Sequence, residues 1–256
     1  MRILIIGDVI GKPGRTAVRK LVPDLRSECD VDLVIANGEN AAGGIGLTPD
    51  TADELLESEI DIITSGNHIW AHKEMVSSID NYQQILRPLN YPDGVTGRGY
   101  AVIRNVLVVN LIGRTFMGNL DCPFRSIDQL LEKLGDSKPS IAVIDFHAEA
   151  TSEKIALGWY LNGRVSAVMG THTHVGTIDA KIMSKGTAFV TDIGMVGPAE
   201  SVIGDDIDSV INRFLTQMPH RISVGKGRVI FNSVMIDVDE KTGKATSISR
   251  IDREVD

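Results

Sequence analysis

Residues 1–15 read MRILIIGDVIGKPGR. Within them Ile3-Leu4-Ile5-Ile6 is an unbroken apolar run that stops at Gly7-Asp8. A run this short, with no polar alternation, reads as a strand buried on both faces that delivers Asp8 at its carboxyl end. The pattern returns twice. Leu33–Ala36 reads as a second buried strand and stops at Asn37-Gly38-Glu39-Asn40, and Ile60–Thr64 reads as a third and stops at Ser65-Gly66-Asn67-His68. Between them, apolar spacing at Ala17, Val18, Leu21 and Leu25 predicts a helix over 14–28, weakened by Pro23. Thr48-Pro49-Asp50 opens another helix, with Thr48 as N-cap and Pro49 at the first helical position. Strands alternating with helices make a mostly parallel sheet. Ligands of such sheets lie beyond the carboxyl ends of the strands, so Asp8, Glu39 and His68 can share one crevice.

The middle and end of the chain extend the scheme. Tyr100–Arg104 and Val106–Ile112 predict a hairpin around Asn105, followed by a helix over 126–134. Ser140–Asp145 is a further buried strand, ending at Phe146-His147, and 152–161 is helical. Val165–Met169 is a strand ending in Gly170-Thr171-His172-Thr173-His174. Strands near 187–191, 228–238 and 245–251 and a helix over 205–217 complete the chain, the last two strands forming a hairpin through 240–244. With no repeat and no Pro/Gly/Ser-rich linker, 256 residues read as a single domain over 1–256. Two sheets packed together and flanked by helices would bury strands this apolar.

Composition narrows the function classes. Hydrophobic residues make up 43% and charged residues 23%, enough for a large core, while 5% aromatics make that core aliphatic. Against 34 Asp and Glu stand 26 Lys and Arg, a net charge of -8, which argues against binding duplex nucleic acid through a basic face. Cys29 and Cys122 make no disulfide framework and read as dispensable thiols in a reducing compartment. The opening apolar run is too short for a secretion signal, and no stretch approaches the roughly 18 apolar residues of a membrane span. The expectation is a soluble cytoplasmic protein.

Five strand ends finish in metal-ligand residue types: Asp8, Glu39 with Asn40, Asn67 with His68, His147, and His172 with His174. Singly, each has an ordinary reading as a turn, a cap or a hydrogen-bonded core histidine. Together they include four of the chain's six histidines, each just past a strand. That joint pattern reads as a metal site of nitrogen and oxygen donors without thiolate, which suits iron, manganese or zinc better than calcium.

The order Gly-Asp, Gly-Glu-Asn, Gly-Asn-His, His and Gly-x-His-x-His resembles the calcineurin-like metallophosphoesterase superfamily. The segments MRILIIGDVIGKPGR, ANGENAAGG, TSGNHIW, IDFHAE, GTHTHV and VTDIGMVGP are similar to its YmdB-like branch. Three departures from the wider superfamily are shared with that branch. Ile10 stands where an N-terminal His ligand is usual, Glu39 replaces the bridging Asp, and Ile69 replaces the acid after Asn-His. The resemblance implies an α/β sandwich of two mixed β-sheets flanked by helices, holding two metal ions, with iron favoured and manganese or zinc as alternatives. It implies Asp8, Glu39, Asn40 and His174 at one ion and Glu39, Asn67, His147 and His172 at the other, with Glu39 bridging. His172 and His174 would need a loop to reach different ions. Two divalent ions, two carboxylates and a bridging hydroxide would leave about one positive charge to attract phosphate in an acidic protein.

The implied activity is hydrolysis of a phosphodiester, with 2′,3′-cyclic nucleotides the leading substrate. A metal-bridging hydroxide attacks phosphorus and His68 acts as general acid to the leaving oxygen. The alternatives are a phosphomonoesterase and a regulatory protein that binds nucleotide or RNA with turnover secondary. A homo-oligomer is among the expected states.

Other motifs read more weakly. Gly7–Pro13 lacks the Gly-Lys-Ser/Thr ending of a phosphate loop. His68 and His72 are four apart, but Ile69 stands where a zinc-protease helix needs Glu, so His72 is expected on the surface of the following helix. Gly43-Gly44-Ile45-Gly46 is equally a mobile substrate lip or only a turn. Arg114 is expected in a salt bridge rather than at a phosphate. Asp192 either orients a ligand histidine or caps a loop. Alternation puts Asp145 on the side of His147, with solvent contact as its default.

Overall fold

A computed structural model describes residues Met1–Asp256. Its first half contains strands β1 (Arg2–Val9), β2 (Leu33–Asn37), β3 (Ile62–Thr64), β4 (Tyr100–Ile103) and β5 (Val106–Ile112), with helices α1 (Gly11–Glu28), α2 (Pro49–Glu57), α3 (Lys73–Ser78) and α4 (Pro123–Leu134). Its second half contains β6 (Ile141–His147), β7 (Ala167–Thr171), β8 (Lys181–Ile182), β9 (Ala188–Val190), β10 (Met195–Pro198), β11 (Val229–Phe231), β12 (Ser233–Val238), β13 (Ala245–Arg250) and β14 (Arg253–Val255). Helices α5 (Thr151–Leu161) and α6 (Ile207–Thr216) lie among these.

Two mixed sheets result. One runs β13-β12-β1-β10-β11-β14, with β2 and then β3 on the other edge of β1; the second runs β4-β5-β6-β7-β9-β8. Alternation along β1 and β2 explains the sandwich. Ile3, Ile5, Leu33 and Ile35 pack with Val108, Val143 and Met169 of the opposite sheet. Leu4, Ile6, Val34 and Ala36 face the other way, onto Val18 and Val22 of α1 and Leu55 of α2. The second sheet turns Val109 and Ile144 outward onto Ile127 of α4 and Leu157 of α5. The apolar residues of these central strands therefore meet apolar surface on one side or the other, which is why the runs carry no polar alternation.

β1 changes partner along one edge. Arg2–Ile6 pair antiparallel with β12, and Asp8 and Val9 pair parallel with β10. Gly7 sits at the exchange, where a Cβ would come within 2.0 Å of the Gly194 carbonyl oxygen. The glycine permits this close approach, and so Asp8 emerges at the sheet's carboxyl end.

The expected helices and hairpins are present with modest shifts. Pro23 lies inside α1, which continues past it, and Thr48 caps α2 in a reciprocal capping box with Thr51. Arg104 and Asn105 adopt left-handed φ values of 48° and 62° and close the tight β4–β5 hairpin. The expected strand over 228–238 is two strands, because the chain leaves β10 for β1 at Asn232. The short strands β8, β10 and β14 carry too little periodicity to be read from sequence. Cys29 and Cys122 are free and half-buried, at the boundaries of α1 and α4. No helix is long and apolar enough to cross a membrane.

Candidate metal centre

The parallel arrangement of β1, β2 and β3, and of β5, β6 and β7 in the facing sheet, brings their carboxyl ends to one rim. Asp8, Glu39 and His147 are fully buried there. His147 Nε2 lies 3.0 Å from Glu39 Oε1, 3.1 Å from Asn67 Oδ1 and 3.0 Å from His172 Nδ1. Ligand atoms of Glu39, His147 and His172 all fall within 4.8 Å of one another. Beside them His174 Nε2 lies 3.8 Å from Asp8 Oδ1 and 3.2 Å from the Asn40 amide nitrogen, which also donates to Glu39 Oε1 at 3.3 Å. The seven residues expected at the metals are thus brought together, in two adjoining groups that meet at Glu39.

Each of the three histidines has its outer ring nitrogen tied off. His147 Nδ1 meets Thr171 Oγ1 at 3.0 Å, and that hydroxyl donates to Asp145 Oδ1 at 2.7 Å. His172 Nε2 meets Glu149 Oε2 at 3.0 Å, and His174 Nδ1 donates to the Ile203 carbonyl at 2.7 Å. Such partners fix which nitrogen faces inward and raise its basicity, as around metal-binding histidines. The inward atoms are His147 Nε2, His172 Nδ1 and His174 Nε2. His172 and His174 reach different groups because both are left-handed, with φ of 100° and 63°. Strain of this kind in non-glycine residues costs about 1–3 kcal/mol and is held by its surroundings.

Charge in the cluster is unbalanced in a telling way. Asp8 Oδ2 accepts the His172 N–H at 3.1 Å, but Oδ1 is buried without a hydrogen-bond partner. Burial pushes the Asp8 carboxyl up to about 6. Burial also acts upward on Glu39, yet the charge and hydrogen bond of His147 outweigh it and hold Glu39 down. Burial acts downward on His147, yet Glu39, Asp8 and Asp145 hold its ring above the usual histidine range. A buried orphan carboxylate oxygen beside inward-facing ring nitrogens is a donor set suited to a cation.

Gly66 makes the convergence possible. A Cβ there would lie 2.2 Å from His147 Cδ2 and 2.4 Å from Glu39 Oε2. His68 follows on the same turn. Its backbone N–H donates to Glu39 Oε2 at 3.1 Å, and its Nδ1 is 2.9 Å from Asn40 Oδ1. The half-buried ring lines a cavity of about 390 Å³ that Glu39, Asn40, His172 and His174 also line.

Several weaker expectations are corrected. Asp145 is buried, not solvated, and accepts from Thr64, Thr171 and Asn37. Arg114 makes no salt bridge; its backbone N–H donates to Glu153 instead. His72 precedes α3 and holds the Ile45 carbonyl at 2.9 Å; Gly43, Gly44 and Ile45 lie in a turn that lines the cavity and is held there rather than free. Asp192 touches none of the three histidines. It pairs with buried Lys154 at 2.7 Å and accepts from the Thr173 N–H and hydroxyl at 3.0 and 2.7 Å, which fixes the residue between His172 and His174. The supporting residues Asn37, Thr171 and Lys154 carried no signal of their own, although Asn37 and Thr171 each stand beside a ligand cluster at a strand end.

Comparison with known proteins gives the family and the fold. The family model described as YmdB-like protein matches residues 4–251. The chain is 48% identical over 255 residues to a 2′,3′-cyclic-nucleotide 2′-phosphodiesterase of Bacillus subtilis (strain 168), covering 98% of this chain and 96% of that one. Among solved structures, a protein of Thermus thermophilus superposes with a TM-score of 0.93 at 43% identity, over 99% of both chains. A phosphatase of Mycoplasma pneumoniae superposes with a TM-score of 0.93 at 33% identity, over 99% of this chain and 93% of that one.

Proposed function

The chain belongs to the YmdB-like protein family, and on that premise we propose that it is a metal-dependent phosphodiesterase opening 2′,3′-cyclic nucleotides at the 2′ ester. The observation that carries this reading is the set of three histidines with tied outer nitrogens, turned toward Glu39 and the orphaned oxygen of Asp8. Asp8, Glu39, Asn40 and His174 would hold one ion, and Glu39, Asn67, His147 and His172 a second. By resemblance iron is favoured, with manganese next and zinc possible; the nitrogen and oxygen donors suit all three. When bound, such ions supply Lewis acidity, neutralising phosphate charge and making water nucleophilic near neutral pH.

The chain's own residues do the rest. Water oxygen bonds to phosphorus, the bond from phosphorus to O2′ breaks, and the departing oxygen needs a proton to leave as a hydroxyl. His68 supplies it. Its Nδ1 is held by Asn40, which leaves Nε2 for the cavity. The contact is to the Asn40 oxygen, so Nδ1–H donates to Oδ1, an arrangement the protonated ring keeps while Nε2–H faces the leaving oxygen. Two free cysteines support a reducing, cytoplasmic setting.

The test is metal analysis of purified protein, then activity after reconstitution with iron, manganese or zinc. Opening of 2′,3′-cyclic AMP with a 3′-monophosphate left intact is the expected result. Preferential hydrolysis of the monophosphate would make the chain a phosphomonoesterase, and tight nucleotide binding without turnover a regulatory binder.

A further inference from the structure

The cavity over the histidine cluster opens into a larger one. Ile203, Asp205, Arg213 and Ile222 line both it and a second hollow of about 790 Å³. The first, at about 390 Å³, is near the small end of the ~300–1,000 Å³ typical of small-molecule sites and suits one nucleoside cyclic phosphate. The second continues along α6, where Phe214 and Met218 are 72% and 64% exposed. A substrate confined to the first hollow would leave this one without a use.

The waist between the hollows is built rather than incidental. Ile203 is β-branched yet left-handed, with φ of 51°. Such a residue is an outlier that its surroundings must impose. Its carbonyl holds His174 Nδ1 while its half-exposed side chain lines both hollows. The waist is therefore fixed to the metal cluster. Arg213 is the one Lys or Arg lining either hollow, and its charge acts on Asp205 without an ion pair between them. An unpaired guanidinium suits a phosphodiester, and the Asp205 carboxylate can accept from a ribose hydroxyl. Phe214 then offers a face on which any base can stack.

We propose that the second hollow receives the nucleotide on the 5′ side of the cyclic phosphate, so that the chain acts on the 3′ end of a short single-stranded oligoribonucleotide. This rests on the phosphodiesterase reading above. A single guanidinium at the waist, in a chain of net charge -8, limits the grip to one further phosphate. The substrate is a dinucleotide-sized end rather than a long strand.

The experiment compares kcat/KM for adenosine 2′,3′-cyclic phosphate with that for ApA ending in a 2′,3′-cyclic phosphate, in the reconstituted holoenzyme. The wild type should prefer the dinucleotide about tenfold or more, the scale of one stacked base. Phe214→Ala should remove most of that preference through KM while leaving the mononucleotide rate in place. Arg213→Gln should cost the dinucleotide about tenfold more than the mononucleotide. Equal wild-type rates, or a preference that survives both substitutions, would overturn the proposal. So would a change of oligomeric state in Phe214→Ala measured by sedimentation, which would make the hollow a subunit interface. Normal mononucleotide turnover alongside any of these failures leaves the phosphodiesterase reading standing. If neither substrate is opened, that reading fails and this one with it.

Discussion

Replacing Lys154 with Met tests whether the histidine loop is held by a buried charge pair. Lys154 on α5 and Asp192 after β9 have side chains 2% and 0% exposed, with Nζ and Oδ2 2.7 Å apart. Met fills much of the space of the lysine stem but leaves Asp192 as an uncompensated buried carboxylate. Removing one partner of such a pair costs about 3–5 kcal/mol. Asp192 keeps its bonds from Thr173 and Gly194, which places the expected cost at the lower end of that range. For a chain of this size each kcal/mol moves Tm by about 2–4 °C, so a fall of roughly 10 °C is expected. The assay is thermal unfolding of metal-free protein, paired with metal content after reconstitution, because Thr173 stands between His172 and His174. The double variant Lys154→Met with Asp192→Asn should recover part of the loss, since no charge is then stranded. A Tm fall under about 2 °C, or a double variant worse than the sum of its parts, would refute the reasoning.

His68→Ala should keep its metal yet lose about 10²–10⁴-fold on a cyclic nucleotide. It should lose far less on a nitrophenyl phosphodiester, whose leaving group departs unprotonated; equal losses would mean that His68 serves the phosphate instead. Glu39→Gln should empty both proposed ion sites together, read as metal per chain, and loss of one ion alone would remove Glu39 as the bridge. Gly66→Ala should fold with weakened metal retention, because its Cβ would lie 2.2 Å from His147 Cδ2; full metal content would show that the cluster has room to move. Burial acts upward on Asp179, but hydrogen bonds from Thr177 and Thr191 prevail and hold its carboxyl below the ordinary value. Its contribution is therefore complete above about pH 4 and is lost as pH falls through the depressed value. Asp179→Asn should flatten that part of the acid limb of a stability curve.

What the sequence determined by itself is the set of strand ends. Apolar runs stopping at Gly7-Asp8, Gly38-Glu39 and Gly66-Asn67 state that polar side chains leave buried strands at a common end, because a polar residue earlier in a strand buried on both faces needs its own buried partners, as Asp145 has in Thr64, Thr171 and Asn37. Parallel pairing then follows from the intervening helices, and the five strand-end clusters are legible together; the family resemblance is what sorts seven of their residues as candidate ligands and His68 as the acid. The sequence could not say which nitrogen of each histidine faces inward. That depends on partners far along the chain: Thr171 and Asp145 for His147, Glu149 for His172, and Ile203 for His174. Nor could it find Lys154, whose ordinary place is at the surface. Only the packing of α5 against β7 and the segment after β9 buries that ammonium beside Asp192. The strands at Met195–Pro198 and Arg253–Val255 were equally hidden, being too short to show a period. They exist because β1 and β11 offer unpaired edges, and backbone groups buried at an edge must find partners. Local pattern fixes what a residue is suited to do; tertiary contact decides which atom of it does so.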